Sequence, residues 1–357
     1  VAGRGEWVKV ADLGEFGLIE LLREGAPAFA GVRVSIGDDT AVVDAPAAGS
    51  LLLTCDMLYE GVHFRRDWYA ACPADLGRKA LAVNVSDIAA KAGRPLWCLV
   101  TLGVAPDADV TFLRGIYDGL YDLARQCGIS VVGGDTIRVP DGLLIDIALI
   151  GETTTARVPL RSDARPGDLI AVTGEFGLAR AGLAVLERMT GERQCGQPAA
   201  WRDLDPCDLA DARQAQLTPP VRLREAQAIG AVGPNAMSDT SDGLAAQIHH
   251  ICEASGVGAL ISADAIPFAA ALRPIAAAAG CEALDWALEG GEEYELIVTL
   301  PPERLDAAQA AVAAVGNTSL TVVGTITAGE QVLLRQAHGQ ATPLRRRGFD
   351  HFTAKDR

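Results

Sequence analysis

The 357-residue sequence is poor in basic charge, in soft metal ligands and in long apolar runs. Its 31 Lys and Arg stand against 46 Asp and Glu, for a net charge of -15. Nucleic-acid backbones are bound through basic patches, so this balance argues against a nucleic-acid partner. The longest apolar runs, such as Leu143 to Ile150, are strand-length and already contain Asp146. None approaches the roughly 18 residues of a membrane span. Val1 to Val10 carries Arg4, Glu6 and Lys9 with no apolar stretch of a secretory signal, so the expected location is cytoplasmic. The eight cysteines form no CxxC pair, and His249-His250 is the one adjacent histidine pair. Reduced thiols are expected rather than disulfides or zinc, and any metal should be held by oxygen. GxxxxGK[ST] and strand–GxGxxG–helix patterns are both missing, which excludes the P-loop and dinucleotide fingerprints.

What is there is core material: 49% hydrophobic and 22% charged, enough for two domains. Val32–Ile36, Ser50–Cys55, Leu96–Val104, Ile129–Val132 and Leu143–Gly151 read as strands. Asp75–Lys91 and Asp109–Cys127 read as helices, the second with Asp109 as N-cap and Gly128 after its end. The expected class is α/β with mixed sheets. Asp163–Asp168 (DARPGD) is a polar hinge, placing domains at 1–162 and 163–357. Beyond it, Leu169–Thr173 and Glu293–Leu300 read as strands and Leu178 onward as a helix. Thr190–Gln216 is polar and reads as a surface excursion around a short helix.

Five aspartate-bearing segments stand out. Ile36-Gly37-Asp38-Asp39 and Thr54-Cys55-Asp56 follow apolar strands, where a carboxylate can face a cleft. Asn84, Asp87 and Lys91 form one narrow stripe on a helix whose other faces are apolar. A carboxylate on such a buried helix needs a partner, a metal or a wet cleft. Val131-Val132-Gly133-Gly134-Asp135 runs a strand into a double glycine that permits close phosphate approach. Ser238-Asp239-Thr240-Ser241-Asp242-Gly243 leads into a helix; capping would explain Ser241 or Asp242, but not both aspartates. Converging carboxylates repel unless divalent cations neutralise them, so these segments point to a multi-Mg²⁺ site for polyphosphate.

In combination these segments resemble the thiamine-monophosphate kinase family, within the aminoimidazole ribonucleotide synthetase-like superfamily. The motifs run from Gly14-Glu15-Phe16-Gly17-Leu18-Ile19 through Glu60-Gly61-Val62-His63-Phe64 and Gly290-Gly291-Glu292-Glu293-Tyr294-Glu295-Leu296 to Gly348-Phe349-Asp350-His351-Phe352. The resemblance implies a two-domain aminoimidazole ribonucleotide synthetase-like fold and a homodimer pairing through the N-terminal domains. It also implies ATP-dependent phosphorylation of thiamine monophosphate on Mg²⁺, without a general base. By motif match, Asp39, Thr54, Asp56, Asp87, Asp135, Asp239 and Asp242 fall on magnesium positions. Gly134, Asp135, Arg161 and Ser241 fall on ATP positions, and His63, Glu292 and Phe349 on substrate positions. Three departures are Cys55 for Thr, Glu293 for Asp and Phe349 for Tyr. The alternatives are another ATP-dependent member, such as a selenophosphate synthetase or hydrogenase maturation dehydratase, and a non-catalytic Mg–nucleotide sensor.

Overall fold

The computed structural model describes residues 32–34, 41–44, 49–105, 108–153, 155–191, 198–349 and 352. Gly37, Asp38, Asp39, the Gly14–Ile19 motif, Cys195, Asp350 and His351 lie outside the described residues.

The first sheet contains β1 (Val32–Val34), β2 (Ala41–Asp44), β3 (Ser50–Tyr59), β4 (Gly93–Val104), β5 (Ser130–Arg138) and β6 (Leu143–Thr153), in the order β1-β2-β3-β6-β4-β5. Helices α1 (Pro73–Ala90) and α2 (Val110–Cys127) cover one face. Side chains alternate along β3 and β6, so Leu52, Leu58, Ile145 and Ile147 pack under Leu81, Val85, Ile116 and Leu120. The two helices cross closely: a Cβ at Gly77 would lie 1.7 Å from the Ile116 carbonyl oxygen. Asp109 accepts from the Thr111 N–H at 2.8 Å and Gly128 ends α2 at φ 71°, as the cap chemistry predicts.

The second sheet has seven strands: β7 (Leu169–Thr173), β8 (Ala236–Asp239), β9 (Gly258–Ser262), β10 (Leu296–Leu300), β11 (Leu320–Thr327), β12 (Val332–Arg335) and β13 (Ala341–Pro343). Their order is β13-β12-β9-β11-β7-β10-β8, antiparallel except for β12 beside β9. Helices α3 (Leu178–Met189), α4 (Pro198–Arg202), α5 (Pro206–Leu217), α6 (Leu223–Val232), α7 (Leu244–Ser255), α8 (Leu272–Ala279), α9 (Ala283–Glu289) and α10 (Leu305–Val315) surround it. The polar excursion therefore carries two helices, and the end of α5 is buried at Gln216 and Leu217 rather than lying on the surface. The strand expected from Glu293 starts only at Leu296, because Glu292 and Tyr294 take positive φ of 64° and 51°.

Helix α1 belongs to both halves. Ala89 and Ala92 pack with Ala226, Met237 and Leu296 of the second half. Lys91, fully buried, donates from Nζ to the Met237 carbonyl at 3.1 Å.

Candidate active site between the sheets

Thr54 and Asp56 point from β3 toward α1. Beyond Leu53, β3 has no β2 residue beside it, and the Asp56 N–H donates instead to Asn84 Oδ1 at 3.0 Å. Thr54 Oγ1 donates to Asp87 Oδ2. From the second sheet, Asp239 ends β8, only 1% exposed, and its Oδ2 accepts from Ser86 Oγ at 2.6 Å. Asp239 Oδ1 is buried and has no hydrogen-bond partner among the described residues. The stripe Asn84, Asp87, Lys91 is thus a seam, not a solvated face.

Three carboxylates here disfavour their own charge. Burial first, then the charge of Asp239, pushes Asp56 up to about 6. Asp87 is raised by burial and by the charges of Asp56 and Asp239, against the Thr54 hydrogen bond and Lys91. Asp239 is raised by burial, against the Ser86 hydrogen bond and the cations Arg161 and Lys91. Arg161 reaches the same place from its 3₁₀ turn, its Nε donating to Ser238 Oγ at 3.1 Å.

Two backbone segments close the cleft. Helix α7 has Gly243 at its N-cap, at φ 108°, so neither Ser241 nor Asp242 holds the cap position. The Ser241 carbonyl accepts from the Glu292 N–H at 2.7 Å, and the Asp242 carbonyl from the Phe349 N–H at 3.1 Å. Phe349 is 43% exposed, so its ring is not core. Left-handed φ at Glu292 and Tyr294 costs on the order of 1–3 kcal/mol each, which surrounding contacts must offset. Arg222 supplies one such contact, gripping Glu295 with Nε and NH2 at 2.7 and 2.6 Å. His63 sits in the 60–64 turn and accepts the Tyr59 N–H at Nδ1, 3.1 Å away, so the neutral ring carries its proton on Nε2.

Some expected positions stand elsewhere. Gly134 and Asp135 lie on β5, two strands removed from β3, and Asp135 is exposed opposite Thr101. Gly134 has a steric reason of its own: a Cβ there would lie 1.8 Å from the Val100 carbonyl oxygen. Cys55 points to the other face of the sheet from Thr54 and Asp56 and donates to Asp146 Oδ1 at 3.1 Å, so it takes no hydroxyl from the carboxylate group. Glu293 also turns away. It is buried, and its Oε1 accepts from the Gly177 and Ala179 N–H groups at 2.8 and 3.2 Å at the start of α3. Lys79, Ser86, Gln216 and Tyr294 were given no role by the sequence reading. Burial and the charges of Glu292, Asp56, Asp239 and Asp242 raise the Tyr294 hydroxyl well above its usual value. For Lys79 a signal existed, since a cation on an apolar helix demands a partner as Asp87 does.

Two sheets joined by a carboxylate seam define the class. Residues 37–153 match the family described as AIR synthase related protein, N-terminal domain, and residues 165–335 its C-terminal domain. Within that class, the chain belongs to the thiamine-monophosphate kinase family. It is 36% identical over 327 residues to thiamine-monophosphate kinase of Escherichia coli strain K12, covering 90% of this chain and 92% of that one. It is 33% identical over 345 residues to that of Aquifex aeolicus, covering 97% and 100%. The solved structure of AaThiL complexed with AMPPCP and TMP superposes with a TM-score of 0.80 at 32% identity, covering 97% of this chain and 100% of that one.

Proposed function

We propose that this chain transfers the γ-phosphoryl group of ATP to thiamine monophosphate, in the cleft where Asp56, Asp87 and Asp239 meet. The observation that carries the reading is the Asp239 carboxylate, buried between the sheets with Oδ1 unpartnered among the described residues. Family membership and the AMPPCP and TMP held by AaThiL support the substrate pair.

The residues fit Mg²⁺. The donors are hard oxygens, and the charge of Asp239 raises the proton affinity of both Asp56 and Asp87. Among the described residues no group of three or more His, Cys, Asp or Glu side chains is arranged to hold a metal ion by itself. Mg²⁺ keeps several waters and takes one or two carboxylates together with substrate phosphates. Thr54, Asp56, Asp87 and Asp239 would hold it, with Asp39 and Asp242 joining by family match, while Asp135 stands apart on β5. Bound there, Mg²⁺ supplies the neutralisation that lets two phosphate anions approach.

The chain's own work is alignment. Arg161, beside Ser238, adds fixed positive charge for ATP, and Ser241 joins it by family match. His63, Glu292 and Phe349 receive thiamine monophosphate. In the transfer, the bond from Pγ to its bridging oxygen breaks, ADP leaves with the electron pair, and a terminal oxygen of the acceptor phosphate bonds to Pγ in line. That acceptor ionises near pH 6, by the about 6 of phosphorylated side chains, so no protein base is needed.

A homodimer is part of the same reading. Met57, Tyr59, Trp97, Leu99, Val132 and Ile137 are between 41% and 57% exposed on β3, β4 and β5 of the first sheet. Apolar surface gathered on one sheet suits a second copy of the chain.

The test is product: protein, ATP, Mg²⁺ and thiamine monophosphate should yield thiamine diphosphate and ADP one for one. ADP without thiamine diphosphate would contradict the reading.

A further inference from the structure

Lys79 lies on α1, 1% exposed. Its ammonium makes an ion pair with Glu292 Oε1 at 2.7 Å and donates to the Gln216 carbonyl at 3.1 Å. Gln216, itself 3% exposed at the end of α5, turns its side-chain amide to Glu292 Oε2. Both carboxylate oxygens of Glu292 are thus fixed from different parts of the chain, and its backbone N–H is fixed by the Ser241 carbonyl at 2.7 Å. The Glu292 side chain keeps 28% exposure toward the cleft. A carboxylate offers about four lone-pair sites, so two remain for a ligand's donors.

We propose that Lys79 and Gln216 are positioning residues that fix the Glu292 carboxylate for thiamine monophosphate. The inference rests on Glu292 being a substrate contact. A carboxylate on a left-handed residue at a loop has several rotamers open to it, and a pre-set one spares the substrate the cost of ordering it. Lys79 also cancels the Glu292 charge, so that Glu292 acts through directed hydrogen bonds to the aminopyrimidine rather than as a bare anion. This gives the polar excursion a place in the reaction. Its second helix passes Lys79, Glu292 and Tyr69, whose hydroxyl donates to the Leu217 carbonyl at 3.3 Å, and so builds the wall of the substrate end.

Steady-state kinetics on the full chain test this with Lys79→Met, Glu292→Gln, the double variant and Gln216→Ala. Lys79→Met should raise KM for thiamine monophosphate about tenfold or more and leave KM for ATP within about twofold. The double variant should be no worse than Glu292→Gln alone, because Lys79 acts only through Glu292. If Lys79→Met does not fold, as followed by thermal melting, Gln216→Ala takes its place in the same cycle, with an expected rise of about threefold. Effects that multiply in the double variant overturn the inference, since a merely structural lysine would act independently of Glu292. A raised KM in Glu292→Gln beside an unchanged one in Lys79→Met overturns it alone. An unchanged KM in Glu292→Gln removes Glu292 as a substrate contact, and this inference with it.

Discussion

Ser86 Oγ donates a 2.6 Å hydrogen bond to Oδ2 of Asp239, joining positions 153 residues apart and tying the central helix of the first sheet to the edge strand of the second. The bond satisfies one oxygen of a buried carboxylate and leaves the other unpartnered among the described residues. A buried charge half-satisfied in this way costs stability unless a ligand completes it. The same contact therefore fixes the two halves together and orients the group expected to face the ion.

Cys55 should be dispensable for catalysis, because it faces away from Thr54 and Asp56. Cys55→Thr is expected to keep kcat within about twofold. Burial, followed by the hydrogen bond and charge of Asp146, pushes its thiol up to about 12. Iodoacetamide should accordingly label it slowly at neutral pH, since the thiolate is the reactive form. Rapid labelling measured by mass spectrometry would contradict this placement.

Glu293 governs a pH dependence of stability. Burial pushes it up to about 8 from 4.5, against its bonds to the Gly177 and Ala179 backbone. The folded chain then binds more protons than the unfolded one between these values, so this group's contribution falls as pH rises through that window. Glu293→Gln keeps an acceptor and removes the titration. Its Tm relative to the parent should increase steadily from pH 5 to pH 8; a constant difference would mean that Glu293 does not titrate there.

Phe349→Ala should raise KM for thiamine monophosphate very roughly 2- to 30-fold, corresponding to about 0.5–2 kcal/mol between an aromatic face and the thiazolium cation. KM for ATP and the melting temperature should barely change, since the ring is 43% exposed. Phe349→Tyr should be nearly neutral. A sharp loss of stability with KM intact would show that the ring serves packing instead.

Leu99→Arg places a charge on the apolar face of the first sheet, where Leu99 is 42% exposed. Light scattering should find the parent chain dimeric and the variant shifted toward monomer. A monomeric parent would remove the homodimer from the reading.

Much of this was legible where chemistry is local. The N-cap Asp109 and the terminal Gly128 announce α2, and the apolar surroundings of Asp87 announce a buried carboxylate with a purpose. Legibility failed where tertiary contacts override local pattern. Glu293-Tyr294-Glu295 has a strand's composition, yet Ser241, Lys79 and Arg222 hold its neighbours in a turn with two left-handed residues. Glu293 stands beside Glu292 in the motif, but that turn sends it to the start of α3. Gln216 sits in a polar stretch with every sign of a surface, and only the fold brings it to Glu292.

The most direct test is Asp239→Asn, assayed with ATP, Mg²⁺ and thiamine monophosphate while folding is followed by thermal melting. The buried carboxylate has a raised pKa, so its charge costs stability at neutral pH, and the metal-free variant should melt no lower than the parent. Its rate of thiamine diphosphate formation should fall about a hundredfold or more, on the order of 3 kcal/mol of lost transition-state stabilisation. A folded variant that forms thiamine diphosphate within about threefold of the parent rate would remove Asp239, and the seam it anchors, from the chemistry.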